Sequence, residues 1–137
     1  MWALKTDGSL TLEKIGIVTP HRSQACAICA YLHEKIGLSD MQKVLVDTVE
    51  RFQGQEREAM IISRGVEKDN SRKGDRGFLG DRRRLNVVVT RARSRFYCIT
   101  PEKLVENTKK QKNAVHLNSF FDWCSSKNDF KDNEEIA

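Results

Sequence analysis

The sequence predicts an α/β domain with a mainly parallel sheet, on two observations. Short, mainly apolar runs with β-branched or aromatic residues recur at 15–20, 44–49, 59–63 and 95–100, each of a length suited to a buried strand. Stretches with helical periodicity stand between them, and strands alternating with helices make parallel α/β sheets.

Taken in order, residues 1–13 are weakly patterned with a turn signal at Asp7-Gly8-Ser9, and read as a disordered lead-in or a strand edge. Ile15-Gly-Ile-Val-Thr-Pro20 reads as a buried strand that Pro20 stops. Residues 24–36 have helical spacing and end at Gly37, a good C-terminal cap. Val44-Leu-Val-Asp-Thr-Val49 is a second strand, and Gly54 breaks Phe52-Gln-Gly-Gln-Glu56 into a loop at its carboxyl end. Residues 59–63 make a third strand, 64–76 a polar surface loop, 81–93 a helix and 95–100 a fourth strand closed by Pro101. A charged amphipathic helix is expected over 102–111. Leu117, Phe120, Phe121 and Trp123 give 116–124 an apolar face, and 127–137 is a frayed tail. One domain is expected over 14–126. Ligands of such sheets bind beyond the carboxyl ends of the strands. Thr19-Pro20, the segment from Thr48 to Glu56 and the approach to Arg91 are therefore expected near that edge.

The chain has 137 residues and a formal charge of +5, with 24 Lys and Arg against 19 Asp and Glu, which favours an anionic partner without being a basic tail. Charges at Lys5, Asp7, Glu13 and Lys14 exclude a secretory h-region from the first twenty residues, and no later run approaches a membrane span. The expectation is an intracellular protein of nucleus or cytoplasm with no membrane partner. Cys26, Cys29, Cys98 and Cys124 are too few and scattered for a disulfide framework. Cys26-Ala-Ile-Cys29 with His33 lies on one helix face but lacks a second ligand pair, so these read as small buried thiols and no metal site is expected.

The most unusual stretch is Phe78-Leu-Gly-Asp-Arg-Arg-Arg-Leu-Asn-Val-Val-Val-Thr-Arg-Ala-Arg93. Arg82, Arg83, Arg84, Arg91 and Arg93 flank an apolar run that belongs to a core. A guanidinium keeps its charge and offers a fork of donors suited to phosphate, so arginines fixed at both ends of a buried element suggest a phosphate-contacting surface. A solvated helix with snorkelling arginines has the same spacing. Spacing does not choose between the two.

Gly77, Phe78, Leu79, Asp81, Arg83, Arg84, Leu85, Asn86, Val87, Thr90, Arg91, Ala92 and Arg93 together resemble motif VI of superfamily 1 helicases, in the branch of the nonsense-mediated-decay helicase and senataxin. Ile15-Gly-Ile-Val-Thr-Pro-His-Arg-Ser-Gln24 resembles motif IV of that family, with His21 where tyrosine is usual. Val46-Asp-Thr-Val-Glu-Arg-Phe-Gln-Gly-Gln-Glu56 resembles motif V, with Glu50 for the commoner aspartate. The resemblance covers about residues 14–100 and implies the later part of a three-layer, RecA-like domain of the P-loop NTPase type. It implies that Arg91 is the arginine finger for the γ-phosphate, and that Glu56 and Gly54 approach the nucleotide. Thr19, Pro20, Thr48, Arg83, Arg84 and Arg93 are then the candidates for the nucleic-acid strand, Arg83, Arg84 and Arg93 being second candidates for fixing the finger. After Ser63 the family often continues x-Val-Arg. Arg64-Gly-Val-Glu67 stands here, so that arginine's role is not carried over.

Phosphoryl transfer from ATP also needs a phosphate-cradling loop, its lysine and a magnesium site. The sequence contains no G-x-x-x-x-G-K-[ST] and no Gly-Lys dipeptide, and Asp47 ends an apolar strand without an acidic partner beside it. The expectation is the C-terminal RecA-like half of an ATP-dependent RNA or DNA helicase, inactive alone. It would share ATP and magnesium with an N-terminal RecA-like domain that lies outside this sequence, whether in a longer chain or a separate one. Its partners would be that domain and single-stranded RNA or DNA. The competing expectation is a non-catalytic RecA-like module that binds nucleic acid or protein through its basic face. An unrelated α/β domain with chance arginines is a third.

Overall fold

The computed structural model describes residues 10–64, 81–110 and 115–127. Gly77, Phe78 and Leu79 lie outside the described residues, as do nearly all of the expected 64–76 loop, most of the lead-in and the tail beyond residue 127.

Unit Met1–Pro101 is built on a four-stranded sheet in which every pairing is parallel. The strands are β1 (Ile15–Thr19), β2 (Leu45–Thr48), β3 (Arg57–Ser63) and β4 (Ala92–Ile99), in the spatial order β2-β1-β3-β4. Helix α1 (Arg22–Ile36) and the short α2 (Leu38–Met41) carry β1 to β2, and α3 (Arg82–Thr90) leads into β4. Strand order reverses between β1 and β3, the place where open α/β sheets leave a crevice.

Alternation along β1 sorts the core into two faces. Ile15 and Ile17 pack with Leu32 and Val44, bordered by Ile28 of α1, Val46 of β2 and Ile61 of β3. Gly16 points the other way, toward the side chains of Met60 and Phe52. Phe52 ends a 3-10 turn, Val49–Phe52, which packs against α3 on that second face. Phe52, Met60, Ile62 and Val88 are fully buried. Helix on one face and helix plus turn on the other give three layers, consistent with a RecA-like domain.

The helix expected over 81–93 is shorter. Asp81 is its N-cap, accepting from the Arg83 amide at 2.9 Å, and the last helical residue is Thr90. The Thr90 hydroxyl donates back to the carbonyls of Asn86 (2.8 Å) and Val87 (3.1 Å), and Arg91 is the C-cap. Ala92 and Arg93 therefore belong to β4. The third strand starts two residues before the expected Ala59, because Arg57 pairs with Ala92 across the sheet. Of the expected buried thiols, Cys26 is exposed and Cys29 partly buried. Cys26 follows the buried Ala25 by about 100° of helix rotation, which turns it away from the Ala25, Ile28, Leu32 face. Burial, with the neighbouring Cys26 and Asp47 adding to it, pushes the Cys29 thiol pKa up.

A second compact unit, Glu102–Ala137, follows Pro101. It holds α4 (Glu102–Lys109) and α5 (Val115–Lys127), which touch each other. In α5 the rings of Phe120 and Phe121 lie 5.6 Å apart and Trp123 stacks on Phe120 at 6.4 Å. Burial pushes the Cys124 thiol up to about 11. Among the described residues, no helix is long and apolar enough to cross a membrane.

Candidate functional site

The candidate residues fall at two edges of the sheet, not at one. Thr19 and Thr48 end β1 and β2 side by side at the carboxyl edge. Gly54 and Glu56 precede β3, and Arg91 and Arg93 stand at the start of β4, so these four are at the amino edge. The expectation of a common carboxyl edge fails because the 3-10 turn after β2 carries the chain back across the second face before β3 begins. β3 has seven residues, which at about 3.3 Å each separates the edges by roughly 20 Å.

At the carboxyl edge Thr19 is fully buried, and its hydroxyl donates to the His21 carbonyl at 3.0 Å. That bond shapes the turn through Pro20 into α1 and engages the hydroxyl proton within the chain. His21 is exposed at the N-cap of α1. Gln24 bridges the strand-order reversal, its amide donating to both the carbonyl and the hydroxyl of Ser63 at 3.2 Å. Thr48 differs from Thr19. Its backbone amide donates to Asp47 Oδ1 at 2.8 Å, and among the described residues its hydroxyl has no partner. Asp47 also faces Arg51 at 3.7 Å. Its carboxylate thus accepts from one amide and faces one guanidinium.

Arg82, Arg83 and Arg84 occupy the first turn of α3 and are all exposed. Cations at a helix N-terminus oppose the macrodipole by several tenths of a kcal/mol each, so local stability is not what this placement serves. Arg84 is partly compensated by Glu50 at 3.3 Å and Asp81 at 3.9 Å. The side chains of Arg82 and Arg83 have no partner among the described residues.

The amino edge is stitched together. Gly54 has φ of 79°, a left-handed conformation that glycine adopts without strain, and a Cβ there would meet nothing within 4 Å. Backbone shape, not crowding, requires the glycine. The Arg57 amide donates to the Arg91 carbonyl at 3.0 Å. Its guanidinium donates to the Glu56 carbonyl (2.9 Å) and to Gln55 Oε1 (3.2 Å). The register then shifts, Arg57 pairing with Ala92 but Ala59 with Arg95, so β4 carries one extra residue. Bulges of this kind re-aim side chains and recur beside active sites. Within it, Ser94 donates its hydroxyl to the Glu58 carbonyl at 3.1 Å, and Arg93 Nε meets Glu56 Oε2 at 3.2 Å. Arg93 is therefore away from Thr19 and Thr48, the other strand candidates. Arg91 has a buried Nε with no hydrogen-bond partner among the described residues.

Gly16 lies beneath this edge. A Cβ there would come within 2.6 Å of Met60 Sδ, 2.9 Å of Phe52 Cε1 and 3.2 Å of Arg57 Cγ. Its presence in a β-branched run was the available sequence signal for close approach. Arg57 and Ser94 carried none. Among the described residues no group of three His, Cys, Asp or Glu could hold a metal ion. The amino edge offers guanidinium groups, which fit phosphate oxygens and not a cation.

A protein-family profile described as "AAA domain" matches residues 2–103. DNA polymerase alpha-associated DNA helicase A of Saccharomyces cerevisiae is 28% identical over 87% of this chain. Helicase sen1 of Schizosaccharomyces pombe is 44% identical over 59%, and the regulator of nonsense transcripts 1 homolog of Drosophila melanogaster 34% identical over 80%. The chain covers 16%, 5% and 9% of the lengths of these three proteins.

Proposed function

The chain belongs to the superfamily 1 helicases of the nonsense-mediated-decay and senataxin branch, and from that premise we propose that it is the finger-bearing second RecA-like half of an ATP-driven helicase. ATP would lie between the amino edge of this sheet and a P-loop-bearing partner domain. Arg91 would donate to the γ-phosphate as charge redistributes over its oxygens during transfer to water, an effect worth roughly a thousandfold or more in rate. Glu56 would accept from a ribose hydroxyl through Oε1 while Arg93 occupies Oε2. Magnesium, held by the partner domain, would neutralise phosphate charge.

The opposite edge would hold a single strand of RNA or DNA. Thr48 offers a hydroxyl, and Arg82 and Arg83 offer charge, to phosphates that carry no sequence information. ATP closing the cleft at one edge would then shift the strand held at the other.

The observation that carries the reading is the joining of Glu56, Arg91 and Arg93, two motifs distant in sequence, at one edge through Arg57 and the Glu56–Arg93 pair. The test is Arg91→Ala in an ATP-hydrolysing helicase that contains this chain. Hydrolysis should fall about a thousandfold with strand affinity within a few-fold. Turnover near wild type would refute the assignment. The purified 137-residue chain should hydrolyse no ATP, with or without RNA.

A further inference from the structure

Arg57 opens β3 between the two segments of the amino edge and touches both. Its amide holds the Arg91 carbonyl at 3.0 Å, and its two terminal nitrogens hold the Glu56 carbonyl and the Gln55 side chain. We propose that Arg57 is a positioning residue that fastens Glu56 to the Arg91 segment, so that the two meet a nucleotide as one body. The proposal rests on the reading above that this edge faces a nucleotide.

Three features support the assignment. The bonds need a fork, since two acceptors from adjacent residues are reached by two nitrogens of one planar group. A lysine could serve one of them at a time. The stem is pinned as well: Arg57 Cγ lies 3.2 Å from where a Cβ on Gly16 would stand, and Nε is buried without a hydrogen-bond partner among the described residues. Finally, the other side-chain tie on Glu56 is weak. Arg93 and Glu56 have side chains 64% and 46% exposed, and an ion pair so open to water and salt holds little by itself. Without Arg57, the turn around Gly54 would be held mainly by the Gln55 amide on the Phe52 carbonyl at 3.1 Å.

The role makes Arg57 neither a nucleotide contact nor only a stabilising residue. Its loss should let Glu56 and Arg91 move independently while the sheet stays folded. The experiment measures amide hydrogen exchange by NMR in the 137-residue chain, comparing wild type with Arg57→Ala and Arg57→Lys. The lysine variant keeps stem and charge, and so reports on the fork even if the alanine variant unfolds. Amides of Gln55 and of residue 57 should exchange on the order of fivefold to tenfold faster in Arg57→Lys, with Ile17 and Ile62 unchanged. In an ATP-hydrolysing helicase containing the chain, the same variant should lower kcat about tenfold and raise KM for ATP, with unchanged strand affinity.

Unchanged amides at the edge, equal quickening across the whole sheet, or kcat and KM both at wild-type values would overturn the proposal. Arg91→Ala measured alongside separates the two readings. Hydrolysis intact in that variant defeats the helicase reading, while the amide result still decides whether Arg57 ties the segments.

Discussion

The two edges of the sheet are built on opposite principles. The Thr48 hydroxyl at the carboxyl edge and the guanidinium groups of Arg82 and Arg83 in the first turn of α3 have no partner among the described residues. At the amino edge Arg57, the Glu56–Arg93 pair and the Ser94 hydroxyl are spent on neighbours, which fixes the backbone on both sides of Arg91, whose own Nε is buried without a hydrogen-bond partner among the described residues. A surface that grips a sequence-independent polyanion gains from charges free to follow the phosphates. A surface that meets one developing charge gains from donors already fixed, because a misplacement of about 1 Å costs on the order of a hundredfold in rate. The contrast therefore divides the helicase reading between the edges, and each edge can be perturbed alone.

Arg91→Ala, with its expected thousandfold loss of hydrolysis, is the largest such perturbation, and it should leave the carboxyl edge untouched. Next in size is Gly16. Met60 and Phe52 are both fully buried, but the thioether can change rotamer while the planar Phe52 ring yields less readily. Gly16→Ala should lower stability by about 2 kcal/mol, read as a fall in Tm of roughly 5–10 °C. Exchange should quicken first at 53–57. A melting temperature unchanged within a degree would mean that Phe52 does not brace the amino edge from below.

Arg83→Ala probes the other edge at smaller scale. Strand affinity should fall a few-fold for every sequence alike, and the slope of log affinity against log salt should shrink by about 0.7 for a single strand. ATP hydrolysis at saturating strand should not change. A loss confined to particular base sequences would contradict a phosphate contact.

The strands were legible because β-branched runs of the right length leave few alternatives, and the residue types at the site were legible through the three motifs. Their partners were not. Glu56 and Arg93 are 37 residues apart, and nothing local announces the bulge that turns one toward the other. The single-edge expectation failed at one element: Phe52, an aromatic in a polar segment, reads as part of a loop, yet its burial against Gly16 drags the chain across the sheet. The end of α3 was misread for a related reason. Periodicity runs on through Val87–Val89, while Ala92 is taken into β4 by its pairing with Arg57, a partner distant in sequence.

The smallest effect distinguishes two threonines that the motifs present as equals. Thr19 and Thr48 pair across β1 and β2 at the same level of the sheet, but one hydroxyl is sealed on His21 and the other is open. Thr19→Val keeps shape and removes one of three donors to the His21 carbonyl, which still accepts from the Gln24 and Ala25 amides at 3.1 Å, so it should cost at most about 1 kcal/mol of stability and leave strand affinity within twofold. Thr48→Val removes no hydrogen bond found among the described residues. Stability should hold within about 0.5 kcal/mol while affinity for a single-stranded oligonucleotide falls roughly threefold to tenfold, the worth of one phosphate hydrogen bond. Denaturant titration and fluorescence anisotropy on the same preparations give both numbers. Equal losses of affinity in the two variants would mean that the Thr19 hydroxyl leaves its carbonyl to reach the strand, and the carboxyl edge would then be remade on binding.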